Sequence, residues 1–173
     1  MNLISDDTVA LRALEPADIE TLYGWENDPA LWTVSGTQAP YSRHLLAAYL
    51  SSYTGDIYAS RQLRLMITLC AGAAPIGTVD FIDFDPLNNR AELGLLIAPG
   101  CQGHGYGRRA LRLIKQYARD HIGLRQLYVV IADANAPCIT IFKQEGFEVS
   151  GRLKSWIKQG RTYHDATLMQ IVF

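Results

Sequence analysis

At 173 residues, with 49% hydrophobic side chains and a formal net charge of -1, the chain has enough apolar surface for one sizeable core, and a single domain spanning 1–173 is expected. The opening MNLISDDTVALRAL lacks the basic patch and apolar run of a signal peptide, and LGLLIA, the longest strongly apolar run, is far too short to cross a bilayer, so a soluble cytoplasmic protein is expected. Cys70, Cys101 and Cys138 are odd in number and lack C-x-x-C spacing, which argues against a disulfide framework or a structural zinc site and leaves three free thiols.

The charge is unevenly spread. Residues 1–40 hold seven acids (Asp6, Asp7, Glu15, Asp18, Glu20, Glu26 and Asp28) against one base, Arg12, whereas residues 101–173 hold eleven Lys or Arg against five acids. This asymmetry suits an anionic ligand at the C-terminal half and a cationic one elsewhere; two solvated faces of opposite sign would read the same way.

In chain order, Thr8 to Leu14 alternates loosely and reads as a strand. A helix should follow, with Pro16 in its first turn, an apolar face of Ile19, Leu22, Tyr23 and Trp25, and a stop at Asn27-Asp28-Pro29. Ser42 is placed to cap a second helix, whose Leu45, Leu46, Tyr49, Leu50 and Tyr53 recur at helical spacing before Gly55. The runs RLMITLCAG, APIGTVDFIDFD and RAELGLLIAP then form a three-stranded meander. After it come a long helix from about Gly105 to His121, the strand QLYVVIA, a short helix APCITIFKQE ended by Gly146, and two strands around Gln159-Gly160. Strand, long helix, strand is a parallel crossover, so the fold class is an α/β sandwich with a mixed sheet.

Three glycines lie in QGHGYG, where a strand hands over to the long helix. A helix N-terminus exposes unpaired N–H groups and partial positive charge, and glycine lets backbone approach a phosphate there. A P-loop would end in G-K-[ST], but this loop continues Gly107-Arg108-Arg109; the dinucleotide fingerprint has different glycine spacing and an acidic residue about twenty positions later, absent here. The pattern Q-x-x-G-x-G, filled by Gln102, Gly105 and Gly107 after AELGLLIAP, resembles the signature loop of the GNAT superfamily of acetyl-CoA-dependent N-acetyltransferases. The resemblance covers nearly the whole chain, including Asn135-A-P-C-I-T-I-Phe142-K-Q-E-Gly146-Phe147 as a later N…GF block. The closing GRTYHDATLM resembles the hairpin of the subgroup that includes spermidine and ribosomal-protein alanine acetyltransferases.

That resemblance implies a mostly antiparallel mixed sheet with a V-shaped splay between the two parallel strands, and acetyl-CoA as cosubstrate. The backbone of Gln102, Gly103, His104, Gly105, Tyr106, Gly107 and Arg108 would hold the pyrophosphate, and Leu96 and Ile97 would pair with the pantetheine amides. Gly94 would ease the bulge of the splayed strand. Asn135 would lie near the thioester, and Arg108, Arg109 and Arg112 would offer charge to the adenosine phosphate; Lys115 and Arg119 are read as a solvated face. A late-helix Tyr usually helps the departing thiolate; here that position is Phe142, leaving unaided departure or another donor, with Tyr106, Tyr128 and Tyr163 as candidates.

The acceptor amine arrives protonated, and something must take its proton. Glu92 stands where the family often has its general base, and an ion pair with Arg90 is the alternative. Asp80 and Asp83 are read either as attractors of a cationic acceptor or as surface acids, and Tyr163, His164 and Asp165 as residues of the closing hairpin that reach the acceptor or simply pair strands. Cys138 is read as a packed small side chain rather than an acyl carrier. No nucleophile elbow and no metal-ligand spacing occur. The expected reaction is direct acetyl transfer to a primary amine, either a polyamine-like small molecule or a protein N-terminus, with a non-catalytic acyl-CoA sensor as the remaining reading. The basic residues follow one helix without interleaved aromatics, which argues against nucleic acid. Relatives are often dimers, some larger, and no residue here decides the oligomeric state.

Overall fold

The computed structural model describes residues 4–173, with Thr33 described by its backbone alone; Met1–Leu3 of the opening segment lie outside the described residues. Eight strands form one sheet in the order β1-β2-β3-β4-β5-β6-β8-β7, built from β1 (Ile4–Ser5), β2 (Val9–Arg12), β3 (Leu63–Leu69), β4 (Pro75–Asp85), β5 (Arg90–Ile97), β6 (Gln126–Ala132), β7 (Glu148–Gln159) and β8 (Thr162–Val172). Every neighbouring pair is antiparallel except β5 and β6, which the long helix α5 (Tyr106–Tyr117) connects.

Alternation assigns the two faces. Odd-numbered residues of β5 and β6, among them Ala91, Leu93, Leu127, Val129 and Ile131, join the main core with Leu111 and Ile114 of α5 and Phe142 of α6 (Ala136–Gln144). Four buried residues of α5, Ala110, Leu111, Leu113 and Ile114, recur at helical spacing, so one stripe of that helix lies on the sheet. Even-numbered residues point to the opposite face. There α1 (Ile19–Glu26) and the turn before it are tied to β2 and β3 by Arg12–Asp18 and Arg64–Glu26 ion pairs, and Tyr53, which ends α3 (Arg43–Ser52), accepts from Arg64 N through its hydroxyl.

Several local signals act as read. Pro16 opens a 3-10 turn ahead of α1, and Ser42 accepts a hydrogen bond from Leu45 N to cap α3. Others read differently in the structure. Asp28-Pro29, read as a stop, also starts α2 (Pro29–Ser35): the Asp28 carboxylate accepts from Ala30 N, and proline occupies the first turn. A second short helix, α4 (Ile57–Ser60), is capped by Asp56 in the same way. The long helix changes to a π-helix over Ala118–Ile122 before Gly123 ends it at φ 76°.

Candidate active site

Between β5 and β6 the ladder is short. Arg90, Ala91 and Glu92 pair with Gln126, Leu127 and Tyr128, and no later residue of either strand pairs with the other. From Leu93 to Ile97, β5 is held only by β4, and from Val129 to Ala132, β6 is held only by β8. The two strands therefore open into a wedge with Glu92 and Tyr128 at its closed end. Parallel partners share a face, so both side chains point to the side carrying α1 and α3.

The β4–β5 register breaks between Ile82 and Asp85, which places the bulge at Asp83-Phe84, with Asp83 at φ 49°. The bulge is therefore in β4 rather than at Gly94. Gly94 is needed for space instead: a Cβ there would sit 3.2 Å from Ile82 Cδ1 and 3.4 Å from Asp80 Cβ.

The glycine loop closes the other end of β5. Gln102 donates from Nε2 to the carbonyl of Ile97 at 2.9 Å, folding the loop back on the strand. Gly103 and Gly105 both adopt φ 79°, and nothing stands within 4 Å of where their Cβ atoms would be. Gly105 is the N-cap of α5 and supplies no side-chain cap, while Arg109 N makes the first helical bond, to Gly105 O at 3.2 Å. The N–H groups of Tyr106, Gly107 and Arg108 thus lack helical acceptors, and the glycines leave room in front of them, which fits an anionic group. Gly107 lies under β5, its Cβ position 3.4 Å from Ile97 Cγ1. His104 stacks on Tyr106 with ring centroids 5.4 Å apart.

The expected basic residues divide differently from the sequence reading. Arg108, Arg112 and Lys115 converge on one carboxylate, Glu145 at the end of α6, at 2.7, 3.1 and 3.3 Å. Burial alone would raise the Glu145 carboxyl, but hydrogen bonds from these three cations hold it below its ordinary value. Arg109 instead joins Asp6 and Asp7, and Arg119 joins Asp120. Lys115, read as solvated, is thus a partly buried member of the cluster.

The carboxylates of the other face also divide. Asp80, expected to attract a cation, is 5% exposed, and its charge is committed to Arg64 at 2.5 Å, which also meets Glu26 at 3.0 Å. Burial pushes the Asp80 carboxyl up against the pull of Arg64. Arg90 pairs with Asp85 at 3.2 Å, not with Glu92. Glu92 is half-buried and has no cationic partner among the described residues; burial, and secondarily the charge of Asp83, raise its carboxyl above the ordinary value. Asp83 is exposed beside it.

At the late helix, Asn135 accepts from Cys138 N at 3.4 Å and caps α6. The Cys138 thiol is pushed up to about 11 by burial, which removes the thiolate that acyl capture would need. Phe142 is 1% exposed, edge-to-face on Phe147. Tyr163 is 59% exposed on the part of the β7–β8 hairpin beyond the β6 ladder. There His164 bonds Thr162, and Asp165 accepts from Ser155 N. Among the described residues no three His, Cys, Asp or Glu side chains gather as a metal site, and no helix is long and apolar enough to cross a membrane.

A mixed sheet opened between its two parallel strands, with an uncapped helix N-terminus at the mouth of the gap, defines an acyltransferase of the GNAT architecture. The chain belongs to that family: residues 8–148 match the acetyltransferase (GNAT) domain. It is an acetyl-CoA-dependent N-acetyltransferase. The spermidine N(1)-acetyltransferase of Escherichia coli K12 is 27% identical over 167 residues, 96% of this chain and 87% of that protein. The spermidine N-acetyltransferase of Vibrio cholerae, solved in complex with CoA and spermine, superposes with a TM-score of 0.87 at 24% identity over 96% of each chain. A dodecameric structure of the Vibrio cholerae enzyme gives a TM-score of 0.80 at 24% identity, covering 96% of this chain and 95% of that one.

Proposed function

We propose that the acceptor is a small polycationic amine of the polyamine class, and that Glu92 takes its proton. The carrying observation is electrostatic. Asp18, Glu20, Glu26, Asp80 and Asp85 are each matched by an arginine, while Glu92 and Asp83 at the closed end of the wedge have none among the described residues. Two adjacent unmatched carboxylates favour a ligand with more than one positive charge, and the names of the relatives point to the same class. The raised carboxyl of Glu92 brings it toward the range of an effective base at neutral pH.

In this reading the N–H groups of Tyr106 to Arg108 and the loop Gln102–Gly105 hold the pyrophosphate of acetyl-CoA, the free edge at Leu96 and Ile97 takes the pantetheine amides, and Asn135 lies near the thioester, while the expected contact of Phe142 with the cosubstrate is given up because the ring is sealed in the core. The 173 residues act as one acetyltransferase domain in the cytoplasm, where acetyl-CoA is available. An oligomer is favoured by the apolar groups on the edge strand β7 and its neighbour β8, Val149, Trp156 and Val172, which are 50–60% exposed.

Thiol release from acetyl-CoA is measured against spermidine, spermine, simple monoamines and a peptide with a free N-terminus. Polyamines are expected to give the highest kcat/KM, with an acid limb above the ordinary carboxylate range. Glu92→Gln should lower kcat about 100-fold or more and remove that limb; Asp83→Asn should raise KM for polyamines and not for monoamines. A peptide turned over better than any polyamine overturns the acceptor assignment.

A further inference from the structure

We infer that Tyr128, the partner of Glu92 across the closed end of the wedge, is the catalytic residue that protonates the departing sulfur. This rests on acetyl transfer at the site just described, and it answers the question that Phe142 raises. A phenyl ring has no proton to give, and Phe142 is sealed at 1% exposure on the α5 side of the sheet. Whatever donates must therefore come from another element.

Three tyrosines were candidates from sequence, and the structure separates them. Tyr106 is stacked on His104 at the mouth of the wedge, in the loop that fits the anionic end of the cosubstrate. Tyr163 is 59% exposed on the outer hairpin, opposite Lys158. Tyr128 stands in the last pair before the strands part, on the same face as Glu92. A chain threaded between β5 and β6 ends against this pair, because beyond it the ladder is closed by Glu92–Tyr128, Ala91–Leu127 and Arg90–Gln126. The residues that follow on the same face of the wedge, Val130 and Ala132 on β6 and Gly94 and Leu96 on β5, carry no hydroxyl or thiol.

The charged groups bearing on Tyr128 are Glu92 and Arg90 of β5 and Asp83 and Asp85 of β4; its β8 partner, Gln170, is uncharged. Burial first, and the nearby carboxylates next, hold the phenol above its ordinary value of 10, so it remains protonated through neutral pH. Its hydroxyl makes no hydrogen bond among the described residues and is free to donate to a ligand.

The proton balance closes within this pair. The amine lone pair forms the N–C bond, the C–S bond breaks as the carbonyl re-forms, and Tyr128 gives its Oη proton to sulfur. Two protons leave the nitrogen in all, one before attack and one after, and Glu92 accepts each in turn. One passes to solvent and the other restores the Tyr128 phenol, leaving amide, free thiol and the resting enzyme.

The test is Tyr128→Phe with polyamine acceptors, following thiol release across pH and acetyl-CoA binding by calorimetry. The expected result is a fall in kcat of about 100-fold, from the usual worth of a general acid, with acetyl-CoA affinity within about threefold of wild type and the acid limb set by Glu92 retained. Replacement of Tyr128 by 3-fluorotyrosine, a stronger acid of nearly the same shape, should keep most of the activity and move the alkaline limb to lower pH. A Tyr128→Phe variant within threefold of the wild-type kcat overturns the assignment, because the thiolate then leaves unaided. Equal loss of acetyl-CoA binding and turnover, or a fluorotyrosine enzyme with an unmoved alkaline limb, also overturns it and makes Tyr128 structural. A wild-type protein that binds acetyl-CoA but releases no thiol with any amine refutes acetyl transfer itself, a failure distinct from that of Tyr128.

Discussion

Among the described residues, Glu145 is the carboxylate that meets three cations. Its carboxylate receives Arg108, Arg112 and Lys115, and Lys115 also donates to its backbone carbonyl, so one residue at the end of α6 fastens that helix to two turns of α5. With its folded value depressed, the carboxylate contributes stability that is present above its unfolded value near 4.5 and lost as pH falls below it. Glu145→Gln should cost about 1–2 kcal/mol at neutral pH, discounted because Arg108 and Arg112 are half-exposed and well screened. In urea melts the difference from wild type should shrink as pH drops below about 4.5. Neither the cluster nor the pairing of Asp80 with Arg64 could be read from the chain, because the partners lie 30–37 and 16 residues apart.

At the scale of elements, the proposed cosubstrate site depends on how α5 begins. Gly105 at φ 79° turns the chain so that the N–H groups of Tyr106 to Arg108 face outward from the loop, a conformation that L side chains adopt only at a cost. Gly105→Ala should therefore cost about 1 kcal/mol of stability even though a Cβ there meets open space. Removing the α3 cap by Ser42→Ala should cost a similar amount, about 1 kcal/mol. The two substitutions part in calorimetry: Gly105→Ala weakens acetyl-CoA binding several-fold, and Ser42→Ala leaves it unchanged. Helix starts were legible where a cap and a periodic face coincide, as at Ser42. They were missed where one dipeptide serves two purposes, as Asp28-Pro29 does in closing one helix and opening the next.

For the molecule as a whole, the sheet is continuous except where it has been left open. β5 beyond Glu92 lacks a neighbour on its β6 side, so part of the sheet's hydrogen-bonding capacity is held in reserve. A ligand that fills the gap acts as a missing strand and stabilises the folded state by mass action. At about 100 times its Kd, acetyl-CoA should add about 2.7 kcal/mol. That corresponds to a rise of about 5–10 °C in Tm for a chain of this length. Hydrogen exchange should show Leu93 to Ile97 gaining protection on binding, while Met66 and Ile67, paired on both sides already, change little.

The order of elements, the crossover through α5, the glycine-led helix start and the absence of a phenol at Phe142 were fixed by local residue chemistry: periodicity, caps and turn residues act over a few positions and are visible in any chain. Which carboxylates remain unmatched was decided by tertiary structure alone. Charge compensation depends on distance in space, and only folding brings Arg64 to Asp80 and Arg90 to Asp85 while leaving Glu92 beside Tyr128 at the point where two parallel strands part.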